Sequence, residues 1–317
     1  MTTPKLSHSL VDPKNPEGEP LGRLYSRTPG GTPEVPSITT VIGALNPQME
    51  WWRGLCAAKE GIRLSELITK RKQESTGDRD WRAKEREISD YLSNTSVRDM
   101  NLASQRGDVV HDYAEKVCRS MLGEEYDIPA ERALALEQIH VMHREANAPL
   151  EIDPQGYFQS VHNFMDDFKV KPVTAEATVW NSTVGYAGTN DLLCEIDGRL
   201  TLLDWKTKKK IKHPGERWYR MSIKPTIALQ LEAARRGEEM YDEQADEWVE
   251  WKGANAIEQV GVALGPNGYE AVRVNQREDT WETFKALLTA WHWDIADKTN
   301  QNPHLGDLPM NADNIWG

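Results

Sequence analysis

The chain has 317 residues, 38% of them hydrophobic, with Trp 12, which is enough core material for one large domain or for a core domain with helical additions. No run approaches the ~18 apolar residues of a membrane helix and the N-terminal stretch has no charged-then-apolar leader, so a soluble cytoplasmic protein is expected. A net charge of -12 counts against nucleic acid unless the charge is unevenly spread, and the separated Cys56, Cys118 and Cys194 argue against a zinc ribbon or a four-cysteine iron–sulfur cluster.

In chain order, residues 1–36 are rich in Pro, Gly and Ser and read as an extended or poorly ordered segment. A first helix enters at 37–42, and helical spacing continues from Trp51-Trp52 through Ile68. Residues 70–99 are densely charged and read as an exposed helical connection. A stronger helix runs from near Asn101 to about Leu122 and carries Arg106, His111 and Glu115. Two more amphipathic helices follow at 130–148 and 157–169, the second with Val161, Phe164 and Phe168 on one face.

From Val173 the period changes to two: VTAEATVW, then two strands around Asp197-Gly198. After a basic loop, Pro225-Thr226 opens the helix TIALQLEAARRGEEM, with Gly237 near its end. IEQVGVALG and GYEAVRV read as strands, and 278–297 as a closing helix. The order predicts an α/β fold: a mixed central sheet with flanking helices over 171–300, a helical region over 37–170 and a tail over 301–317.

The Asp197-Gly198 hairpin carries the most chemistry. If these two residues form the loop, Ile196 pairs with Arg199 and Asp191 comes opposite Asp204 on a non-hydrogen-bonded pair, where side chains are closest. Lys206 projects from the same face because strand side chains alternate. Facing carboxylates need compensation, which a hard divalent cation supplies, and a lysine beside them suits a phosphate or an activated water. Two carboxylates, a lysine and a metal describe phosphodiester hydrolysis. Beyond Lys206 the chain holds Lys208, Lys209, Lys210, Lys212, Arg217, Arg220 and Lys224 against one acid, Glu216, a strip suited to tracking a nucleic-acid backbone. Seven acids between Glu238 and Glu250 follow it.

Four separated motifs then resemble the PD-(D/E)XK nuclease superfamily, in its RecB-like exonuclease branch of bacteriophage type: RGDVVH ending in His111, GTND ending in Asp191, Asp204-Trp205-Lys206, and Gln230-Leu231. The resemblance implies a restriction-endonuclease-like fold and a metal-dependent DNA exonuclease using one or two Mg²⁺ or Mn²⁺ ions. It implies that His111, Asp191 and Asp204 are metal ligands, with the Trp205 backbone carbonyl as a further oxygen. Lys206 would orient or help deprotonate the attacking water, and Gln230 would bond the water, the lysine or the phosphate. Glu176 and Glu115 are additional acids that could support a second metal. Gly188 would permit close approach of backbone to metal or substrate.

One departure is that the family's tyrosine one turn after the glutamine is missing, so Arg235 or Arg236 could contact phosphate instead. The cysteines cannot build the four-cysteine cluster of some relatives. A phage role in recombination, end resection or genome processing would bring DNA, and a single-strand-annealing protein or helicase, as partners in the host cytoplasm. The alternatives are a structure-specific endonuclease of the same fold and a non-catalytic DNA-binding or assembly protein.

Overall fold

The computed structural model describes residues 8–10, 14, 21–43, 45, 50–212, 215–216 and 221–298. Three short strands, β1 (Ser9–Leu10), β2 (Leu24–Tyr25) and β3 (Val35–Pro36), precede α1 (Ile38–Gly43), α2 (Glu50–Arg63), α3 (Ser65–Gln73) and α4 (Asp78–Met121). After α5 (Ile128–Glu145) and α6 (Gln155–Asp167) come β4 (Lys171–Asn181), β5 (Tyr186–Ile196) and β6 (Arg199–Thr207). The chain continues through α7 (Ile227–Arg235), β7 (Glu239–Asp242), β8 (Glu247–Glu250), β9 (Glu258–Gly265), β10 (Gly268–Arg273) and α8 (Glu278–Lys298).

The expected α/β architecture with a mixed sheet is present. The main sheet has seven strands in the order β10-β9-β6-β5-β4-β7-β8, antiparallel except where β9 runs parallel beside β6. Asp197 (φ 49) and Gly198 (φ 73) both take positive φ, as the tightest hairpin turns require. The ladder pairs Ile196 with Arg199 and continues in that register to Leu192 with Leu203. Thr201 to Trp205 of β6 are all buried, because β6 is flanked by strands on both edges and covered on both faces.

One face packs against α4, α5 and α6 through Val110, Tyr113, Ile139, Phe158, Val161 and Phe164, which meet Leu192, Leu203 and Trp205. The other packs Leu193, Leu202 and Ala263 against Ile211, Ile227, Leu231 and Trp251. The helices of 78–167 therefore share a core with the sheet. A third cluster joins Ile38 and Val41 of α1 to Leu229 and Ala233 of α7 and to Phe284 and Leu288 of α8.

Three sequence expectations need correction. Within 1–36, the described residues are not a loose extension. Tyr25 is 2% exposed and packs with Trp180 and Ala187, its hydroxyl lies 2.8 Å from Thr189 Oγ1, and the Arg27 guanidinium sits over Trp180 and Trp248. Residues 78–121 form one unbroken helix of 44 residues, not a connection followed by a helix. The helix predicted to reach Met240 stops at Arg235, and the acidic stretch becomes the β7–β8 hairpin. Just past the stop, Gly237 packs closely: a Cβ there would lie 3.1 Å from both Trp251 Cδ1 and Val179 Cβ.

Candidate metal and phosphodiester site

The β5–β6 ladder ends at Leu192 and Leu203, one pair short of Asp191 and Asp204. Continued, it would pass the Trp205 N–H to the next carbonyl of β5. Instead that N–H donates to Asp191 Oδ2 at 2.6 Å. The two strands fork at the aspartates, and one carboxylate occupies the fork. The sequence register is correct, but the two residues flank an opened ladder and are not a rung of it.

On the neighbouring strand, Glu176 lies opposite Asp191 in register, between the Ala175–Leu192 and Ala177–Asn190 pairs. Glu176 has φ 49, left-handed backbone that a glutamate adopts only under constraint. Its effect is a change of phase along β4: Ala175 and Ala177, two apart, pack into opposite cores. This kink turns Glu176 toward the aspartates. His111 reaches the same place from α4, with Nδ1 3.6 Å from Asp191 Oδ2. His111, Glu176 and Asp191 offer donor atoms all within 4.8 Å of one another.

Asp204 is 3% exposed and held from two sides. Gln230 of α7 donates its amide to Oδ1, and Lys206 Nζ lies 2.6 Å from Oδ2. All these groups line one cavity of about 1010 Å³, together with Glu115, Lys208, Thr189, Thr39 and Arg23. Of these, Arg23 and Thr39 were not among the candidate site residues of the sequence. No pattern marked Arg23, since its segment reads as a loop and its position depends on β2 docking.

The electrostatics follow from burial and crowding. Burial, Asp191 and Glu115 push the Glu176 carboxyl up to about 9. Burial works against the His111 imidazolium, but Asp191 and Asp204 outweigh it and raise the group to about 9. Burial and Asp191 lift Asp204 to about 6 despite Lys206. Asp191 goes the other way: burial opposes its charge, but His111, Lys206 and the Trp205 N–H hold its carboxyl low. Burial disfavours the Lys206 ammonium, yet Asp204 and Asp191 keep it charged above its ordinary range.

Other candidates fall elsewhere. Trp205 has its side chain 2% exposed in the core, edge-on to Phe164, and offers its N–H to the site. Glu115 lines the cavity but pairs with Arg119 at 2.6 Å. Arg235 is turned to Glu232 at 2.8 Å, with Arg236 on the same carboxylate at 2.9 Å, so phosphate contact by either would first break an ion pair. Of the lysine strip, Lys208 lines the cavity, whereas Lys209 pairs with Glu151 and Lys210 with Glu216 at 3.6 Å. Arg217 and Arg220 lie outside the described residues. Gly188 serves a close approach, but to α1: a Cβ would lie 2.7 Å from Ile38 Cδ1.

No family model matches the chain, and no curated protein matches it in sequence. Among solved structures it is similar to SSO0001, with 11% identity over 59% of this chain and 86% of that one and a TM-score of 0.26. Among the described residues, no helix is long and apolar enough to cross a membrane.

Proposed function

We propose that the protein is a metal-dependent deoxyribonuclease of the PD-(D/E)XK type, acting as an exonuclease on phosphodiester bonds. The observation that carries this reading is the convergence of His111, Asp191, Asp204, Lys206 and Gln230, drawn from four elements, on one cavity at the fork between β5 and β6. The order of α6, three antiparallel strands, α7 and a strand returning parallel to the third supports the restriction-endonuclease-like fold that the sequence motifs imply.

The donor set fits a hard divalent cation. His111, Glu176 and Asp191 supply one nitrogen and carboxylate oxygens at mutual distances compatible with a shared ion. The raised values at His111 and Glu176 show carboxyls crowded together and short of positive charge, which a cation would supply. Asp204 would complete the set from across the fork. When bound, Mg²⁺ or Mn²⁺ supplies Lewis acidity toward the phosphate and lowers the cost of deprotonating water.

The chain's own residues do the rest. Gln230 fixes one oxygen of Asp204, so that carboxylate cannot rotate away from the cavity. Lys206 holds positive charge beside Asp204, where it can orient a water and stabilise charge growing on a phosphate oxygen. The Trp205 N–H fixes Asp191 against rotation. His111 presents Nδ1 to Asp191 at 3.6 Å, and would take up the ion as a neutral imidazole after losing its proton.

The test is a time course on linear and covalently closed circular DNA with Mg²⁺, Mn²⁺ or EDTA, beside Lys206→Ala. Metal-dependent loss of linear DNA alone, abolished by the substitution, is the expected result. Nicking or cutting of the circle would replace the exonuclease with an endonuclease, and DNA binding without cleavage in either metal would leave an assembly role.

A further inference from the structure

The helix that carries His111 has a second feature on the same face. α4 is continuous from Asp78 to Met121, so at 100° per residue the azimuth of every position follows from its number. On its N-terminal side, nine positions of the helix fall within about 40° of His111. The nearer six, from Gly107 back through Met100 and Ser93 to Ser89, carry no charge. The farther three are Arg86, Arg82 and Arg79.

These arginines are exposed and make no ion pair or hydrogen bond with the described residues. They line a groove of about 490 Å³ with Ala83, and Asp78 flanks it. The opposite face of α4 is the one that packs: Tyr91 and Arg98 reach Glu60 of α2, and Thr95 is buried. The lane from the arginines to the cavity is therefore left open to solvent, with Ser89, Ser93, Val97, Met100 and Ser104 all exposed. In a protein with net charge -12, three unpaired cations form a row on one exposed face, although acids such as Asp78 and Asp90 stand beside it.

We propose that Arg79, Arg82 and Arg86 form a remote phosphate contact for duplex DNA whose end lies in the His111 cavity. The proposal rests on the nuclease reading for the placement of that end. At ~1.5 Å per residue the arginines stand about 38–48 Å from His111 along the axis. With phosphates every ~3.4 Å per strand, that is about 11–14 base pairs from the reacting end. A duplex suits this spacing because it is rigid over far longer distances and spans the uncharged lane without support. A flexible single strand would need cations along the way, and the six intervening positions supply none. Guanidinium groups at i, i+3 and i+7 present a short row of forked donors to such a backbone.

The experiment compares the wild type with the triple variant Arg79→Gln, Arg82→Gln, Arg86→Gln on blunt duplexes of 8 and 20 base pairs and a 20-nucleotide single strand. Binding is measured in EDTA across a salt series, and cleavage in Mg²⁺ and Mn²⁺. The wild type should prefer the 20-mer duplex, and the variant should lose that preference while binding and cleaving the 8-mer like the wild type. Its salt slope on the long duplex should fall by about 2–3, at ~0.9 per phosphate contact. Unchanged length preference and salt slope would overturn the proposal, as would loss on the 8-mer alike, loss confined to the single strand, or a wild type that binds neither duplex. If the preference depends on the arginines but neither protein cleaves, the arginine contact stands and the nuclease reading falls. If both proteins cleave both duplexes equally, the nuclease reading stands and the arginine contact falls.

Discussion

Replacing Glu176 with Gln tests the crowded carboxyl cluster without reference to catalysis. In the metal-free protein the Glu176 carboxyl keeps its proton up to about 9, against 4.5 when unconstrained. Between these values the folded chain binds a proton that the unfolded chain has lost, so stability must fall as pH rises. The ideal slope is about 1.4 kcal/mol per pH unit, or roughly 4 kcal/mol between pH 4.5 and 7.5. Relaxation of the cavity will reduce this, and ~2–4 kcal/mol is the expected range.

Glutamine mimics the protonated form and removes the titration, leaving the contributions of His111 and Asp204 in place. The variant should therefore match the wild type near pH 5 and exceed it increasingly toward pH 8. At ~2.1 cal/mol/K per residue of unfolding entropy, the gain at pH 7.5 is about 3–6 °C in Tm. Thermal melts of EDTA-treated protein from pH 5 to 8.5 measure it directly. Adding Mn²⁺ should narrow the gap: the wild type gains stability from the cation, and the variant, lacking one carboxylate, binds it about tenfold more weakly, which at saturation is worth about 1.4 kcal/mol. Parallel pH profiles for the two proteins would refute the account, because Glu176 would then be an ordinary ionised acid.

Other expectations follow from the geometry. Lys206→Ala should lower hydrolysis by about 10²–10³-fold, read from initial rates on linear DNA. His111→Ala should weaken Mn²⁺ binding by calorimetry and flatten the loss of metal-free stability between pH 6.5 and 9, since a raised histidine stabilises the fold below that window and loses its effect through it. Gly156→Ala should destabilise by about 1–3 kcal/mol or more, because its Cβ would stand 1.9 Å from the Pro266 carbonyl oxygen, a backbone atom that cannot step aside. Phe164→Ala should cost about 3–5 kcal/mol in denaturant melts, since Phe164 is fully buried against Trp205 and Tyr269.

The legible part of this protein was the part decided by neighbours in sequence. Asp197-Gly198 dictates a two-residue turn, the turn fixes the register, and the register brings Asp191, Asp204 and Lys206 within one hairpin. The amphipathic periods of 130–148 and 157–169 likewise mark α5 and α6 to within a few residues. What closed the site was decided at long range. The kink at Glu176 is a backbone state that no local preference of glutamate selects, and it is held by packing into two cores at once.

Gln230 reaches Asp204, and His111 reaches Asp191, only after α7 and α4 have docked on opposite faces of the sheet. The continuity of α4 was hidden for a related reason: over 70–99 the charged residues satisfy no clear apolar period, so the helix depends on α2 and α3 covering one side. Sequence patterns encode propensity, turn geometry and side-chain period, each set within a few residues. Tertiary structure alone decides which buried charges meet, because burial and electrostatic coupling belong to the packed elements together.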